Sequence, residues 1–284
     1  MMKFIDPHLH FFALDEGDYN WLKPENPPYW SDKAEIAKTF TEKDLRLFGE
    51  QALAGYVHIE AGLDNARPWR EIDWLESNCT LPMRSVAGCD LQADDFEAVM
   101  HALIQRQSVV GVRHILDDSA FVVLQSSKAR RALSMLAEAE LSFDAQLYGE
   151  DTAGIAALIE VCHLMPALRI TVNHGGFPPA SEINYANWKT NMSALAGCPN
   201  VAVKASGWEM TNRYWRPESA GLVIKDLISL FGNERVMLAS NFPLSNWRYS
   251  YSEFWDLMSG LVENSELERL TYLNARHWYG FSHQ

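Results

Sequence analysis

The sequence predicts an α/β chain folded as one (β/α)8 TIM barrel over residues 1–284, with long, aromatic-rich βα loops on its C-terminal face. Three observations carry that prediction. Short apolar runs alternate with longer amphipathic segments eight times, each pair about one βα unit long. Segments entering the runs are short, whereas those leaving them are long and aromatic, as expected when βα loops build the working face. No GxGxxG or P-loop follows the first run, which disfavours a doubly wound open sheet.

The strand candidates are, in order, KFIDPHLH, LAGYVHIE, RSVAGCDL, VVGVRHIL, LSFDAQLY, LRITVNH, VAVKAS and RVMLASN. Their lengths and flanking turn residues suit buried parallel strands. Helical periodicity marks ARPWREIDWLESN, DDFEAVMHALIQRQ, KARRALSMLAEAE, AGIAALIEVCHLM and AGLVIKDLISLFG. GCPN and GNERV lead tightly into the seventh and eighth strands. By contrast, FFALDEGDYNWLKPENPPYWSDKAEIAKTF follows the first strand, GWEMTNRYWRPES the seventh and FPLSNWRYSY the eighth. No composition shift marks a linker, so one domain is expected.

A formal charge of -13 argues against a nucleic-acid or anionic-membrane surface, both of which need basic patches. A small-molecule substrate is the expected partner, and a homodimer is compatible with the exposed helices of an acidic barrel. The four cysteines, Cys79, Cys89, Cys162 and Cys198, form no CxxC pair and read as reduced thiols. The N-terminus lacks the pattern of a signal peptide, and no apolar run approaches the ~20 residues of a membrane span. A cytoplasmic protein is expected.

Side chains alternate along a strand, so Asp6, His8 and His10 are expected on one face and Pro7 and Leu9 on the other. Two imidazoles at the mouth of a barrel strand can converge on one ion, with Zn–N bonds near ~2.1 Å. The other strand ends add polar groups: His58 and Glu60, Arg113 and His114, His174, Lys204 and Asn241. Singly, each has an ordinary structural explanation, such as a core histidine or a rim ion pair; together they describe one site. Gly175 and Gly176 after His174 permit a tight turn and close approach to a ligand.

The motifs IDPHLHFF, VHIEAG, GVRHIL, FDAQL, TVNHGGFP, KASGW and LASNFP stand in the order and spacing of the amidohydrolase superfamily. Over roughly residues 3–280 the chain resembles its amidohydrolase-2 branch, which includes sugar-lactone and 2-pyrone-4,6-dicarboxylate lactonases. The resemblance implies a hydrolase acting on a small, oxygen-rich or anionic lactone. It aligns His8 and His10 with metal-binding histidines, His174 with the strand-six histidine, and Arg113 with a residue that faces an anionic or carbonyl oxygen. Two positions depart from the pattern: Gln146 replaces a common histidine ligand, and Asn241 replaces the aspartate that usually takes a proton from water. An amide cannot act as a base near neutral pH.

The expected roles follow. His174 is the first candidate for proton transfer, His58 and Glu60 the next, with Asn241 beside them. Arg113, Lys204, His114, Gln146 and Trp208 are expected to bind substrate. His8 and His10 would hold a divalent metal, zinc by preference, weakly or not at all. Trp21, Tyr29, Trp30, Trp208 and Trp247 would shape a wall or lid. The rival readings are a lactone isomerase or a decarboxylase on the same fold, and a non-catalytic ligand-binding homologue.

Overall fold

A computed structural model describes residues 2–282. Its strands are β1 (Met2–Leu9), β2 (Gln51–Ile59), β3 (Met83–Gly88), β4 (Val109–Ile115), β5 (Ser142–Gln146), β6 (Ile170–Val172), β7 (Val201–Ala205) and β8 (Val236–Leu238). They form one eight-stranded sheet in sequential order, each strand parallel to the next. Beyond β8 the chain returns to β1: Leu9 bridges Phe242, the His10 amide donates to Phe242 O at 2.7 Å, and the Asn241 amide donates to His8 O at 2.9 Å. The sheet closes through the very residues that carry the site. This is the (β/α)8 barrel that the alternation of apolar runs predicts.

The predicted helices appear as α1 (Trp69–Asn78), α2 (Phe96–Leu103), α4 (Ser127–Glu138), α5 (Thr152–Leu164) and α8 (Pro217–Phe231), with a short α3 (Ala120–Gln125) before α4. A further long helix, α6 (Glu182–Ala196), escapes the sequence reading. Its buried face mixes Trp188, Met192 and Leu195 with Asn191, whose Nδ2 donates to Gly149 O and Thr152 Oγ1. A buried amide interrupts the apolar stripe on which helix recognition depends. After β7 a single turn, α7 (Trp208–Thr211), carries Glu209; after β8 come α9 (Tyr251–Gly260), α10 (Asn264–Glu268) and α11 (Asn274–Trp278).

Strand alternation divides the buried residues into two sets. Phe4, Tyr56, Val112, Phe143, Ile170 and Val203 pack with the surrounding helices, whereas Ile5, Val57, Ile59, Val86, Ala202 and Met237 pack with Tyr272, Ala275 and Tyr279 from the C-terminal segment. The second set fills the barrel interior and is plugged from below by that segment. Lys204 and Asp144 stand within this interior, both fully buried, with Nζ and Oδ2 2.5 Å apart. The Tyr279 hydroxyl donates to Asp144 Oδ1 at 3.2 Å.

Removing one member of such a pair leaves a buried, uncompensated charge. Lys204→Met is therefore expected to cost about 3–5 kcal/mol of stability. Adding Asp144→Leu recovers part of that loss, measured as urea midpoints of the two variants. A double variant no more stable than Lys204→Met would contradict the pairing.

Candidate active site

The mouth of the barrel opens into a cavity of about 1000 Å3. His10, Glu60, Arg113, His114, Gln146, His174 and Asn241 all line it, brought together from six of the eight strand ends. His8, Lys204, His58 and Trp208 do not line it. His8 and Lys204 lie beneath its floor, both fully buried. His58 alternates with the interior residues Val57 and Ile59 and so faces outward, where its Nε2 accepts from the Phe11 amide at 3.0 Å and lies 3.7 Å from Glu71. Burial lowers its pKa to about 3, so it stays neutral in a packing role. Asp6 also leaves the expected face: the β1–β2 register shifts between Asp6 and Leu9, and its carboxylate accepts from Ser240 and Tyr251.

Among the described residues, four non-glycine lining residues beyond the strands have left-handed backbone, including Asp117 (φ 37°) and Phe177 (φ 49°). His174 (φ 55°) follows β6 and Asn241 (φ 57°) follows β8. Gly207, at φ 70°, lets the loop after β7 pass against the His174 ring: a Cβ there would lie 2.4 Å from Nδ1. Only a residue without a side chain tolerates both demands.

The rings of His8 and His10 have centroids 5.0 Å apart, and those of His8 and His174 4.6 Å apart. Burial holds all three imidazoles well below their ordinary pKa, with Lys204 or Arg113 adding to the effect, so each is neutral at pH 7. A neutral ring has one proton, and its partners decide where that proton sits. His10 Nδ1 faces the carbonyl oxygens of Ile59 (2.8 Å) and Glu60 (3.1 Å), which can only accept. Its proton is therefore on Nδ1 and Nε2 is bare. His8 Nδ1 faces the Lys204 ammonium at 3.4 Å, which can only donate. The His8 proton is therefore on Nε2, an atom with no hydrogen-bond partner among the described residues. His174 Nδ1 meets the Ser206 hydroxyl at 3.0 Å, and a hydroxyl serves either tautomer. One ring is a fixed acceptor, one a fixed donor, and one can exchange.

Two atoms of this floor are spaced as metal ligands would be. The bare His10 Nε2 and Asn241 Oδ1 are 3.3 Å apart, close to the spacing of adjacent ligands on a tetrahedral ion with bonds near ~2.1 Å. The set stops there. His8 presents a protonated nitrogen rather than a lone pair. No three His, Cys, Asp or Glu side chains are grouped around a common point among the described residues. The residues present do not fit a resident metal centre.

Among the charged residues of the walls, carboxylates prevail. Glu60, Asp64, Glu71, Asp90, Asp95 and Asp117 line the cavity, and Arg113 is the sole lysine or arginine among the described lining residues. Its guanidinium is already engaged, donating to Glu60 Oε1 at 2.7 and 3.0 Å and to Gln146 Oε1 at 3.2 Å. His114 accepts from the Leu91 amide at 3.1 Å. Glu71 accepts from the amides of Ala61, Gly62 and Leu63, while burial pushes its carboxyl up to about 8. Trp21 and Trp30 form part of the wall as expected, but Tyr29 is exposed. Trp247 acts one step back: the Arg213 guanidinium stacks 3.6 Å from its ring, 4.9 Å from Trp30, and pairs with Asp32. That sandwich ties together the loops after β1, β7 and β8.

One residue of the floor is missing from the sequence reading. Glu209 is fully buried, and its Oε1 accepts from Asn241 Nδ2 at 2.6 Å. Burial raises its carboxyl to about 7. The available signal was a carboxylate in the loop after β7, in a chain whose strand-eight position carries an amide.

The amidohydrolase family model matches residues 5–281. The chain belongs to the amidohydrolase family. With that membership, the expectation of a hydrolase holds. This amidohydrolase is 29% identical to the uncharacterized protein y4mH of Sinorhizobium fredii, with 97% of each chain covered. It is 24% identical to an L-fucono-1,5-lactonase of Burkholderia ambifaria, over 88% of this chain and 83% of that one. A crystal structure of an amidohydrolase from Burkholderia multivorans with bound zinc superposes with a TM-score of 0.82 at 21% identity, covering 98% and 99% of the two chains. That likeness is one of fold.

Gly207→Ala is expected to push His174 from its seat and to cost about 1–3 kcal/mol in stability. Thermal melting and the His174 ring resonances report the two effects. An unshifted His174 signal would show that the loop has room for the methyl group.

Proposed function

We propose that this amidohydrolase hydrolyses a small, neutral, polyhydroxylated lactone without a resident metal. One observation carries the reading: a floor of differently protonated imidazoles lies beneath a cavity whose carboxylates outnumber its one, already paired, guanidinium. Carboxylates accept hydrogen bonds from hydroxyl groups and repel an anionic substrate. A sugar-acid lactone in its uncharged ring form matches that wall better than a dicarboxylate lactone. The lactonase name of the Burkholderia ambifaria relative supports the same class.

The chemistry balances on residues of this chain. Water adds to the ring carbonyl, forming a new C–O bond, and its proton passes to the neutral His174. Nδ1 of that ring is held by Ser206, which leaves Nε2 for proton transfer. Arg113 and Gln146 steady the substrate and the charge that develops on the carbonyl oxygen. As the ring C–O bond breaks, His174 returns the proton to the leaving oxygen, giving the open hydroxy acid. Trp21 and Trp30 exclude bulk water from one side. His114 and Glu60 are within the same wall and contact substrate hydroxyls.

Asn241 favours one second reading, a lactone isomerase, because migration of the acyl group between hydroxyls needs no activated water. A panel of neutral aldonolactones and dianionic lactones, assayed in water enriched in heavy oxygen, separates these outcomes. The proposal expects kcat/KM for the best neutral lactone to exceed that for any dianionic one by at least about tenfold, roughly the discrimination a 1.4 kcal/mol difference gives. Solvent oxygen enters the product carboxylate. Turnover without incorporation identifies the isomerase; preference for dianions, or no turnover at all, overturns the assignment.

A further inference from the structure

The His10–Asn241–Glu209 chain poses a hydrogen-bonding problem whose solution assigns a role to Glu209. His10 Nε2 is a bare acceptor, and the atom of Asn241 that faces it at 3.3 Å is Oδ1, a second acceptor. Left to itself, an amide in this place would rotate to offer its NH2 group to the imidazole, gaining a hydrogen bond and removing the repulsion between two lone pairs. What prevents the rotation lies on the other side. Glu209 Oε1 stands 2.6 Å from Nδ2, and in the ionised form, which this hydrogen bond favours against the upward push of burial, the carboxylate can only accept, so the NH2 group is committed there. The hydrogen bond to a charged, fully buried acceptor is the stronger of the two available.

We infer that Glu209 is a positioning residue: it locks the Asn241 amide so that Oδ1 and His10 Nε2 both point lone pairs at one spot on the cavity floor. Both residues line the cavity, so that spot is open to a ligand. A group that satisfies two converging acceptors carries two hydrogens. Water does so, donating one to each and turning its own lone pair toward a substrate above. Glu209 thus restores at one remove what the amide in place of a strand-eight carboxylate gives up: the acceptor that orients the attacking water. On attack the hydrogen held by Asn241 Oδ1 turns to His174, which takes it as a proton, while His10 Nε2 keeps hold of the other; neither Asn241 nor Glu209 takes a proton in this scheme.

The inference rests on the reaction proposed above only for its kinetic readout. Glu209→Gln keeps the shape but lets either end of residue 241 pair with residue 209, so Asn241 turns its NH2 group to His10. The account expects kcat to fall about 100-fold, the scale of a misplaced reacting group, with KM changing less than about threefold. Asn241→Asp alone places two carboxylates against each other and is expected to lose activity to a similar extent. The double variant Glu209→Gln/Asn241→Asp exchanges donor and acceptor between the two positions, restores an acceptor facing His10, and recovers activity to within about tenfold of wild type. A merely structural Glu209 would not show this rescue.

If Asn241→Asp alone matches or exceeds wild type, or the double variant is no better than Glu209→Gln, the inference is overturned. The side-chain NH2 resonances of Asn241 supply a readout that needs no substrate. They are expected to carry the signature of a hydrogen bond to a carboxylate in the wild type, where folding of a variant is not at issue. Resonances of an amide without that bond overturn the inference even if lactones are hydrolysed; the expected resonances sustain it even if the lactone panel fails.

Discussion

The ammonium of Lys204, held beneath His8 by Asp144, is the constraint on which the site depends. Three neutral rings packed within about 5 Å could be protonated in many combinations, and most would leave a floor without definite polarity. Lys204 removes the freedom of one ring by donating to His8 Nδ1, and two backbone carbonyls remove that of another by accepting from His10 Nδ1. Adjacent histidines of one strand thereby carry their protons on opposite nitrogens. The desolvation cost of a buried lysine is large, and the Asp144 carboxylate 2.5 Å away, with Tyr279 donating to it, offsets much of it. Tyr279 belongs to the C-terminal plug, so the closed bottom of the barrel takes part in setting the proton pattern at its top.

A second consequence concerns charge. The cavity gathers carboxylates while the fully buried ammonium of Lys204 lies below the floor. The charge of Arg113 is offset by Glu60, though its five donors are not all taken, and the arginines near Asp64 and Asp32 are likewise paired. An uncharged ligand rich in hydroxyls suits a wall of acceptors, and the imidazole floor suits a carbonyl group set among them. The amide at position 241 and the carboxylate at position 209 act as one unit in this scheme, joined across the loops that follow β8 and β7.

Much of this was legible in the sequence, for identifiable reasons. Fully buried parallel strands read as apolar runs, and a barrel repeats them at regular intervals, so the fold and its eight strands were visible. The lining roles of His10, Glu60, Arg113, His114, His174 and Asn241 followed from their places at strand ends, and that of Gln146 from the family resemblance. What alternation could not supply was local irregularity. A register shift in β1 turned Asp6 aside, and His58 proved to share the outward parity of its strand. Lys204 was expected at the substrate because its strand ends at the mouth; it points inward one level too low, where Asp144 meets it. Glu209 left only a faint signal, since one carboxylate in a polar loop looks like any other until the fold buries it.

The opposite tautomers of His8 and His10 are the most direct test. Nitrogen NMR of histidine-labelled protein at pH 7, assigned by the loss of signals in His8→Gln and His10→Gln, distinguishes a protonated ring nitrogen from a bare one. The structure predicts a protonated Nε2 on His8 and a protonated Nδ1 on His10. Protonated Nδ1 on both rings, leaving two bare Nε2 atoms free for a shared ion, would contradict it.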